Sequence, residues 1–288
     1  MSEAWSWLRR NALLLYAALA VLYMLLPILV IGLFSFDQTS TGKLDYRWSG
    51  LTLDYWRDAF DDESVNEAMI TSIQLAGLSM LVATIVGTLM ALALVRYQFR
   101  GRGVSNLLIV LPMATPEIVI GAALLSMFLI YGLELGFTTL FIAHVMFSIS
   151  FVVVVVRSRL IGFDRSLEEA AADLGAPPLT TFRTITLPLM APGIVAASLL
   201  AFALSIDDFV ISNFNSGTTE TFPLYIFGVS LRGIPVQVNV LATLLFLVTV
   251  IAIALVLWQQ RRAERMADVR PEPEPQETLR PTSREVAA

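Results

Sequence analysis

The sequence predicts an all-α, polytopic membrane protein with six transmembrane helices, in which both termini lie on the same side. Of its 288 residues, 56% are hydrophobic and only 15% are charged, and the mean hydropathy is +0.72, which is far too apolar for a soluble domain. Six apolar runs are each long enough to cross a hydrocarbon core of about 30 Å as a helix. Cysteine is absent, so disulfides and thiolate metal sites are excluded. The net charge of −5 argues against nucleic acid as a partner.

The six predicted spans cover residues 12–34, 68–95, 107–131, 137–156, 189–211 and 238–258. The first run is longer than a signal-peptide core and no small-residue cleavage site follows it, so we expect it to remain as a span. Between the first two spans, residues 36–67 form an acidic loop whose aromatic residues are typical of a membrane interface. In the third span, Pro112 and Pro116 free backbone carbonyls and are expected to kink the helix.

Basic residues are distributed unevenly between the two sides of the predicted bundle. Fifteen of the 19 Lys and Arg fall on the side of the termini, and the other four are Lys43, Arg47, Arg57 and Arg232. The positive-inside rule therefore predicts that both termini are cytoplasmic. The chain then divides into a cytoplasmic N-terminus (1–11), a transmembrane domain (12–258) and a tail (259–288). The tail has no apolar periodicity and an alternating Pro-Glu run, which predicts disorder.

A polar stretch of about twenty residues, 166–188, separates the fourth and fifth spans. Ser166 and Glu169 have the S-x-x-E spacing of a capping box, which predicts a helix start. Gly175 stands where a left-handed residue would end that helix, and Pro177 and Pro178 cannot extend it. A simple connection needs only a few residues, so an ordered helix here indicates a docking surface. The alternative is an interfacial helix that packs against lipid headgroups.

The residue order of this stretch resembles the EAA signature of permease subunits in ABC importers. The matching residues are Glu169, Ala170 and Ala171, then Gly175 after three residues, then Ile185, Leu187 and Pro188 after nine more. In that family the helix is the coupling helix, which inserts into a cleft on a separate ATPase subunit. The resemblance implies the type I importer permease fold and a cytoplasmic ATPase dimer as partner.

The residue inventory predicts no catalytic and no metal site on this chain. A Walker A loop needs a lysine, and the only lysine, Lys43, lies on the outer side, so ATP and Mg are expected on the partner ATPase and no cofactor on this chain. His144 is the single histidine, which excludes His-based zinc clusters. It lies in the fourth span, where we expect it to hydrogen-bond a neighbouring helix. The chain is therefore predicted not to be an enzyme.

Three intramembrane acids are the candidates for a substrate pathway. Glu117 lies about ten residues into the third span, which at about 1.5 Å per residue places it roughly 15 Å deep, near the middle of the membrane. Asp207 and Asp208 lie near the outer end of the fifth span, and because neighbouring helical residues point about 100° apart, both can face a narrow pore only if the helix unwinds. Structural roles remain open: a helix end for the aspartates, and a cap or an interhelical bond for Glu117. As a pathway, carboxylates without a buried basic partner favour a cationic solute.

Two further segments, LPMATPEIVIG (111–121) and SIDDFVISNF (205–214), resemble the second permease subunit of bacterial spermidine/putrescine importers. This resemblance implies a polyamine substrate, a heterodimeric pore with a second homologous permease, a periplasmic substrate-binding protein, and a location in the bacterial inner membrane. It also implies transport by alternating access. Permeases for other small solutes share the same EAA-signature framework, so such a permease is an alternative. A cation channel or secondary transporter could use the same acids but would have no evident need for the EAA helix. For a structural or assembly membrane protein, neutralising Glu117, Asp207 and Asp208 would cause no transport phenotype.

Overall fold

The computed structural model describes residues 2–39, 41–45, 47–162 and 164–268, and in this part the chain is helical without a β-strand. The predicted tail beyond residue 268 lies outside the described residues. The α-helices are α1 (Ser2–Phe34), α2 (Asp54–Arg57), α3 (Glu63–Arg96), α4 (Arg102–Ala114), α5 (Glu117–Ile130), α6 (Phe137–Ile161), α7 (Ser166–Asp173), α8 (Pro178–Thr181), α9 (Leu187–Ile206), α10 (Val210–Asn215), α11 (Phe222–Ser230) and α12 (Val236–Asp268).

Four stretches of the described chain are long and apolar enough to cross a membrane by length and composition. They are 11–34 in α1, α3, α6 and the run Pro178–Ile206, which joins α8 and α9 through a π-helical turn (Phe182–Thr186). The pair α4 and α5 meets the same criteria as one broken unit and would make a fifth. In α12 the apolar part is the shorter segment Val236–Ile251.

The third predicted span is broken rather than kinked. Thr115 and Pro116 leave the helix between α4 and α5, and the two axes are bent by 111°. The N-terminal end of α4 lies beside the C-terminal end of α6, where Arg157 Nη1 donates to Asn106 Oδ1 (2.9 Å). The chain enters α6 six residues after α5 ends, so the pair runs from one end of α6 to the other.

Several helices extend past their predicted limits because local capping and propensity favour it. The helix α3 begins at Glu63 instead of residue 68, since the Asp62 side chain accepts from the backbone N–H of Ser64 (3.1 Å) and Val65 (3.4 Å). The helix α12 continues to Asp268 through Gln, Arg, Ala, Glu and Met, which are strong helix formers. Residues 259–268, which the sequence assigned to the tail, therefore belong to α12.

The fifth predicted span is displaced toward the N-terminus. Its helix begins at Pro178 and ends at Ile206, whereas the apolar run alone suggested 189–211. At the π-helical turn, the Leu187 N–H donates to Phe182 O, five residues back. The next residue, Pro188, has no N–H to continue the regular α-helical pattern, so the wide turn accommodates the proline within the helix.

The core is formed by α3, α6 and α9, which pack against one another along most of their length. The buried face of α3 is made largely of small residues at helical spacing. They are Ala68, Ser72, Ala76, Ser79, Ala83, Gly87 and Ala91. Small side chains let helix backbones approach closely, which is the main source of packing energy in a bilayer. At Gly87 the approach is so close that a Cβ atom would lie 2.6 Å from Val152 Cγ1 of α6.

The segment before α3 is ordered by contacts of its own. The buried Asp37 carboxylate accepts from the N–H groups of Ser49 (2.8 Å) and Gly50 (3.2 Å), and Phe36 stacks on Trp56. Lys43 Nζ donates to Arg232 O (2.8 Å). Two of the four basic residues that the sequence assigned to the outer side are therefore neighbours.

The described residues fall into two compact units, 34–238 and the combination of 2–33 with 239–268. The first unit holds the α3–α6–α9 core, the helix α7 and the three candidate pathway acids. In the second unit, α1 carries a row of exposed leucines, among them Leu13, Leu19, Leu22 and Leu29. Exposed apolar surface of this extent fits a helix that faces lipid or another membrane subunit.

Replacing Gly87 by Ala is expected to destabilise the protein by about 1 to 3 kcal/mol, because the new methyl group overlaps Val152 in a core without spare volume. The measurement is thermal unfolding of the detergent-solubilised protein. Gly77→Ala in the same helix is the matched control, since nothing lies within 4 Å of its Cβ position. Equal unfolding midpoints for the two variants would contradict the close α3–α6 contact.

Candidate functional site

The start of α7, the helix that carries the EAA signature, differs from the predicted capping box. Ser166 is the first helical residue and its side chain makes no cap; instead, Asp164 Oδ1 accepts from the Ser166 N–H (2.9 Å). Hydrogen bonds from the backbone N–H and from the side chain of Ser166 hold the pKa of the Asp164 carboxyl below its ordinary value. The helix starts one residue earlier than the S-x-x-E spacing requires, so Glu169 lies at the fourth helical position rather than at the third. The capping-box prediction is wrong for this reason.

The end of α7 matches the prediction. Gly175 has φ +81°, its N–H donates to Ala172 O (2.9 Å), and the N–H of Ala176 donates to Ala171 O (3.0 Å). This pair of bonds is the Schellman motif, which requires a left-handed residue and therefore favours glycine. Pro177 and Pro178 follow, and Pro178 is the first residue of α8, where a missing N–H costs nothing.

A polar triad ties α7 to the membrane-spanning core. The Glu168 carboxylate accepts from both terminal nitrogens of Arg96, at the C-terminal end of α3, and from the hydroxyl of Thr186, which is buried at the start of α9. The hydrogen bond from Arg96 lowers the pKa of the Glu168 carboxyl, outweighing the opposite effect of burial. An open cleft of about 560 Å³ lies beneath α7, and the triad lines it. Glu169 was predicted from the signature and Glu168 was not; the available signal for Glu168 was Arg96, the basic residue at the end of α3.

The other face of α7 is open. Glu169 and Ala170 are exposed, and Leu174, next to the C-terminal glycine, is 89% exposed. The remaining signature residues do not share this surface. Ile185 lies within the π-helical turn, and Leu187 and Pro188 begin α9. The signature thus divides into an exposed helix and the junction that joins it to a membrane-spanning helix.

The three predicted pathway acids come together in space. The helix unwinds between α9 and α10 at residues 207–209, so Asp207 and Asp208 follow a helix end rather than lying inside a helix. Glu117 is the first residue of α5, and its carboxylate is close enough to Asp208 and Asp207 for their charges to act on it. Because the third span is broken directly before Glu117, the depth of roughly 15 Å expected for a continuous helix no longer follows.

Close packing of α5 on α10 produces this arrangement. A Cβ atom at Gly121 would lie 2.8 Å from Phe214 Cδ2, so only glycine permits the approach. Asn215 Nδ2 donates to Gly121 O (3.3 Å), and Thr139 Oγ1 of α6 donates to Asn215 O (2.8 Å). Glu117 lies one turn before Gly121 in α5, and Asp208 lies shortly before Phe214 of α10. The contact between Gly121 and Phe214 therefore holds Glu117 next to Asp208.

The two aspartates have different environments. The Asp208 side chain is only 6% exposed; its Oδ1 accepts from Ile211 N–H (3.2 Å) and its Oδ2 from Ser212 N–H (2.8 Å). Asp208 thus caps α10. Asp207 and Glu117 are exposed in the isolated chain, so they are the carboxylates accessible to a solute. Within the described residues, no group of three or more His, Cys, Asp or Glu is arranged to hold a metal ion.

The protein family follows from the comparison of the sequence with known families. The family described as binding-protein-dependent transport system inner membrane component matches residues 83–265, more than half of the chain, including α7 and all three acids. The chain belongs to this family. Its members are transporter subunits and not enzymes themselves.

Characterised members of this permease family are similar over most of the chain. The spermidine/putrescine transport system permease protein PotC of Haemophilus influenzae is 39% identical over 239 residues, covering 83% of this chain and 91% of that protein. PotC of Escherichia coli K12 is 38% identical, covering 80% and 87%. The putrescine transport system permease protein PotI of Escherichia coli K12 is 37% identical, covering 76% and 80%.

Solved structures of ABC importers share the fold of this permease. A chain of a bacterial transporter that imports the acidic polysaccharide alginate superposes with a TM-score of 0.61 at 18% identity, covering 92% of this chain and 99% of that one. A chain of an amino acid ABC transporter superposes with a TM-score of 0.55 at 17% identity, covering 74% and 100%. At these identities the likeness concerns the fold alone.

Replacing Glu168 by Gln is expected to loosen α7, because the Arg96 guanidinium and the Thr186 hydroxyl lose a charged acceptor. Hydrogen–deuterium exchange at neutral pH should show at least about fivefold faster exchange of residues 166–176, given roughly 1 kcal/mol or more per charged hydrogen bond. Glu169→Gln, which alters an exposed neighbour, should leave exchange unchanged. Equal exchange in the two variants would show that the triad does not restrain α7.

The same contact predicts a pH dependence. The folded-state pKa of Glu168 lies below its ordinary value, so its contribution is present at neutral pH and is lost as the pH falls through that lowered pKa. The accelerated exchange of residues 166–176 at acidic pH, after correction for intrinsic rates, should be absent in Glu168→Gln, which has already lost the charge. A similar acid response in both proteins would place the titrating group elsewhere.

Proposed function

We propose that the chain is one of two homologous permease subunits of an ATP-driven importer of polyamines, spermidine or putrescine, in the bacterial inner membrane. The observation that carries the proposal is the 39% identity to a spermidine/putrescine permease along nearly its whole length, together with clustered carboxylates that suit a cation. A polyamine carries several positive charges, and opposite charge within a few ångströms is favourable in a low-dielectric site.

In the proposed topology the chain crosses the membrane six times and both termini are cytoplasmic. The spans are α1, α3, the α4–α5 pair, α6, α9 with its N-terminal extension, and α12. The traverse of the α4–α5 pair along α6 supports counting it as one span. For α12, residues 236–258 would reach about 34 Å as a helix, which is sufficient for a bilayer. The distribution of 15 of 19 basic residues supports the orientation.

Coupling to ATP would occur through α7. ATP and Mg would bind a separate cytoplasmic ATPase dimer, whose closure would move α7, and the Glu168–Arg96–Thr186 triad would carry that movement into α3 and α9. The pore between the two permeases would then open toward a periplasmic substrate-binding protein. The signature residues Glu169, Ala170, Ala171 and Gly175 would form or shape the docking surface, and Ile185, Leu187 and Pro188 the junction with the membrane span.

Within the pore, Glu117 and Asp207 would contact the solute, and Asp208 would maintain the shape of the site. This division follows from the open position of the first two carboxylates and the use of the third as a helix cap. An importer of another small cation is the second candidate, since the same carboxylates would serve it.

The solute assignment is tested by uptake of radiolabelled spermidine and putrescine in cells that lack their own polyamine importers and express this chain with its genomic neighbours. Glu117→Gln and Asp207→Asn are each expected to lower Vmax/KM by about tenfold or more, because each removes a charge-assisted contact worth roughly 1.5 to 3 kcal/mol. Asp61→Asn, in the exposed loop before α3, is the matched control and should transport normally.

The outcomes separate the alternatives. Uptake that persists without ATP hydrolysis would indicate a channel or secondary transporter. An assembled, ATP-hydrolysing complex that moves no polyamine would retain the importer and overturn the solute. Normal uptake by both variants would remove these carboxylates from the pathway.

The docking role of α7 is tested by Leu174→Ser. Because Leu174 is 89% exposed beside the signature glycine, its loss should reduce co-purification of the ATPase with the permease by at least about fivefold, the effect of removing 1 to 3 kcal/mol of apolar burial. Leu231→Ser is the control: Leu231 is 81% exposed, but it precedes Arg232, whose carbonyl accepts from Lys43, and both basic residues are assigned to the outer side. Undiminished co-purification of Leu174→Ser would exclude α7 as the contact.

A further inference from the structure

The break between α9 and α10 exposes backbone groups inside an apolar part of the molecule. The last carbonyls of α9 and the first N–H groups of α10 have no partners within their own helices. In a bilayer such groups must be satisfied by the protein itself. Asp208 satisfies two of the N–H groups, those of Ile211 and Ser212, but this places a carboxylate where its side chain is only 6% exposed. A buried carboxylate needs partners of its own.

His144 of α6 supplies contacts on both sides of the break. Its Nδ1 is 2.7 Å from the hydroxyl oxygen of Ser205, in the last turn of α9, and its Nε2 is 3.0 Å from that of Ser212, in α10. The same Nε2 lies 3.5 Å from Asp208 Oδ2. His144 is 2% exposed, and both serines are buried. One side chain on a core helix thus holds two consecutive helices at a fixed orientation.

We infer that His144 is a positioning residue of the solute site: by bridging Ser205 and Ser212 it fixes the break, directs Asp208 inward as a cap, and leaves Asp207 open beside Glu117. Its role in transport rests on the proposed function, whereas the geometric part concerns which aspartate is accessible. His144 does not touch the solute. It acts through the angle between α9 and α10, which sets where the Asp207 carboxylate lies.

A space-filling role would make different use of the ring. A histidine that only packs would need neither nitrogen, yet both are within hydrogen-bond distance of a buried hydroxyl. The neighbouring turn of α6 provides a comparison. Ser148 is equally buried, but its hydroxyl has no hydrogen-bond partner, so it contributes volume only. Ser148→Ala is therefore a matched control for a small change in the same helix.

Two substitutions of His144 each remove one of its two hydrogen bonds, to Ser205 or to Ser212. In His144→Asn the side-chain amide can reach the position of Nδ1 and keep the hydrogen bond to Ser205. In His144→Gln the longer side chain can reach the position of Nε2 and keep the hydrogen bond to Ser212. Each variant keeps one arm and loses the other, so a bridging role predicts that both are impaired. A packing role predicts that Gln, which is close to histidine in volume, is tolerated.

The first experiment does not depend on the identity of the solute. The chain has no native cysteine, so Asp207→Cys and Asp208→Cys can be made singly and their reaction rates with a cationic methanethiosulfonate reagent measured in the assembled complex. With His144 present, position 207 should react at least about tenfold faster than position 208. In the His144→Gln and His144→Asn backgrounds this ratio should fall by about fivefold, the effect of losing roughly 1 kcal/mol of hydrogen bonding, and Ser148→Ala should leave it unchanged.

The second experiment reads out transport in proteoliposomes that contain the full complex. Both His144 variants should raise the KM for spermidine by about fivefold while the basal ATPase rate stays within about twofold of the unmodified complex. A ratio of reaction rates that does not respond to His144, or variants with unchanged KM, would overturn the inference. If the unmodified complex carries no polyamine, the proposed solute fails, and the cysteine reaction rates still decide the positioning role.

Discussion

The requirement that every backbone polar group find a partner away from water governs this molecule. Its long helices meet the requirement by themselves, and the informative places are those where a helix stops. Between α4 and α5 the Thr115 hydroxyl donates to Leu111 O (2.7 Å). At the end of α7 the bonds around Gly175 satisfy the last carbonyls. Between α9 and α10 the Asp208 carboxylate accepts the free N–H groups. Two of these three interruptions adjoin the clustered acids and the third ends the EAA helix, so the sites assigned to solute and to ATPase both lie where the helical ladder is interrupted.

Most of the architecture was predictable from the sequence because apolar runs determine spans almost regardless of context. The positions of α1, α3 and α6 follow from such runs. Gly175 predicts the end of α7, because glycine tolerates a positive φ far better than other residues do. The errors have two origins. Some information is not local: α5, after the break at Thr115 and Pro116, packs on α10 through the close approach of Gly121 to Phe214, nearly a hundred residues away in sequence. Other information is local but ambiguous: the Ser166–Glu169 spacing fitted a capping box, but Asp164, two positions before the helix, is the acceptor that the Ser166 N–H uses.

The candidate site was predictable in its members and not in their roles. Placing an ionisable side chain within a bilayer costs free energy, so the few acids inside the apolar runs, Glu117, Asp207 and Asp208, were identifiable from the sequence. Only the structure separates an aspartate used as a cap from one left open, since that difference depends on His144, Ser205 and Ser212 converging from three helices. Glu168 was missed for the same reason: its partners Arg96 and Thr186 are 72 and 18 residues away. Chains of transporters for alginate and for amino acids share the fold, so the fold alone does not determine the solute.

The π-helical turn at Phe182–Thr186 makes the length of the EAA segment easier to shorten than to lengthen. A π turn holds one residue more than the α-helical repeat would use, and each residue of an α-helix advances the chain by about 100°. Deleting one residue within the turn would return it to the α-helical repeat and leave the flanking segments facing as before. Inserting a residue there would instead rotate α8 and α7 about the axis of α9 by that angle, so that Glu168 would face away from Arg96 and the exposed face of α7 would point in another direction. The direction of α7 thus depends on the number of residues between Gly175 and Ile185.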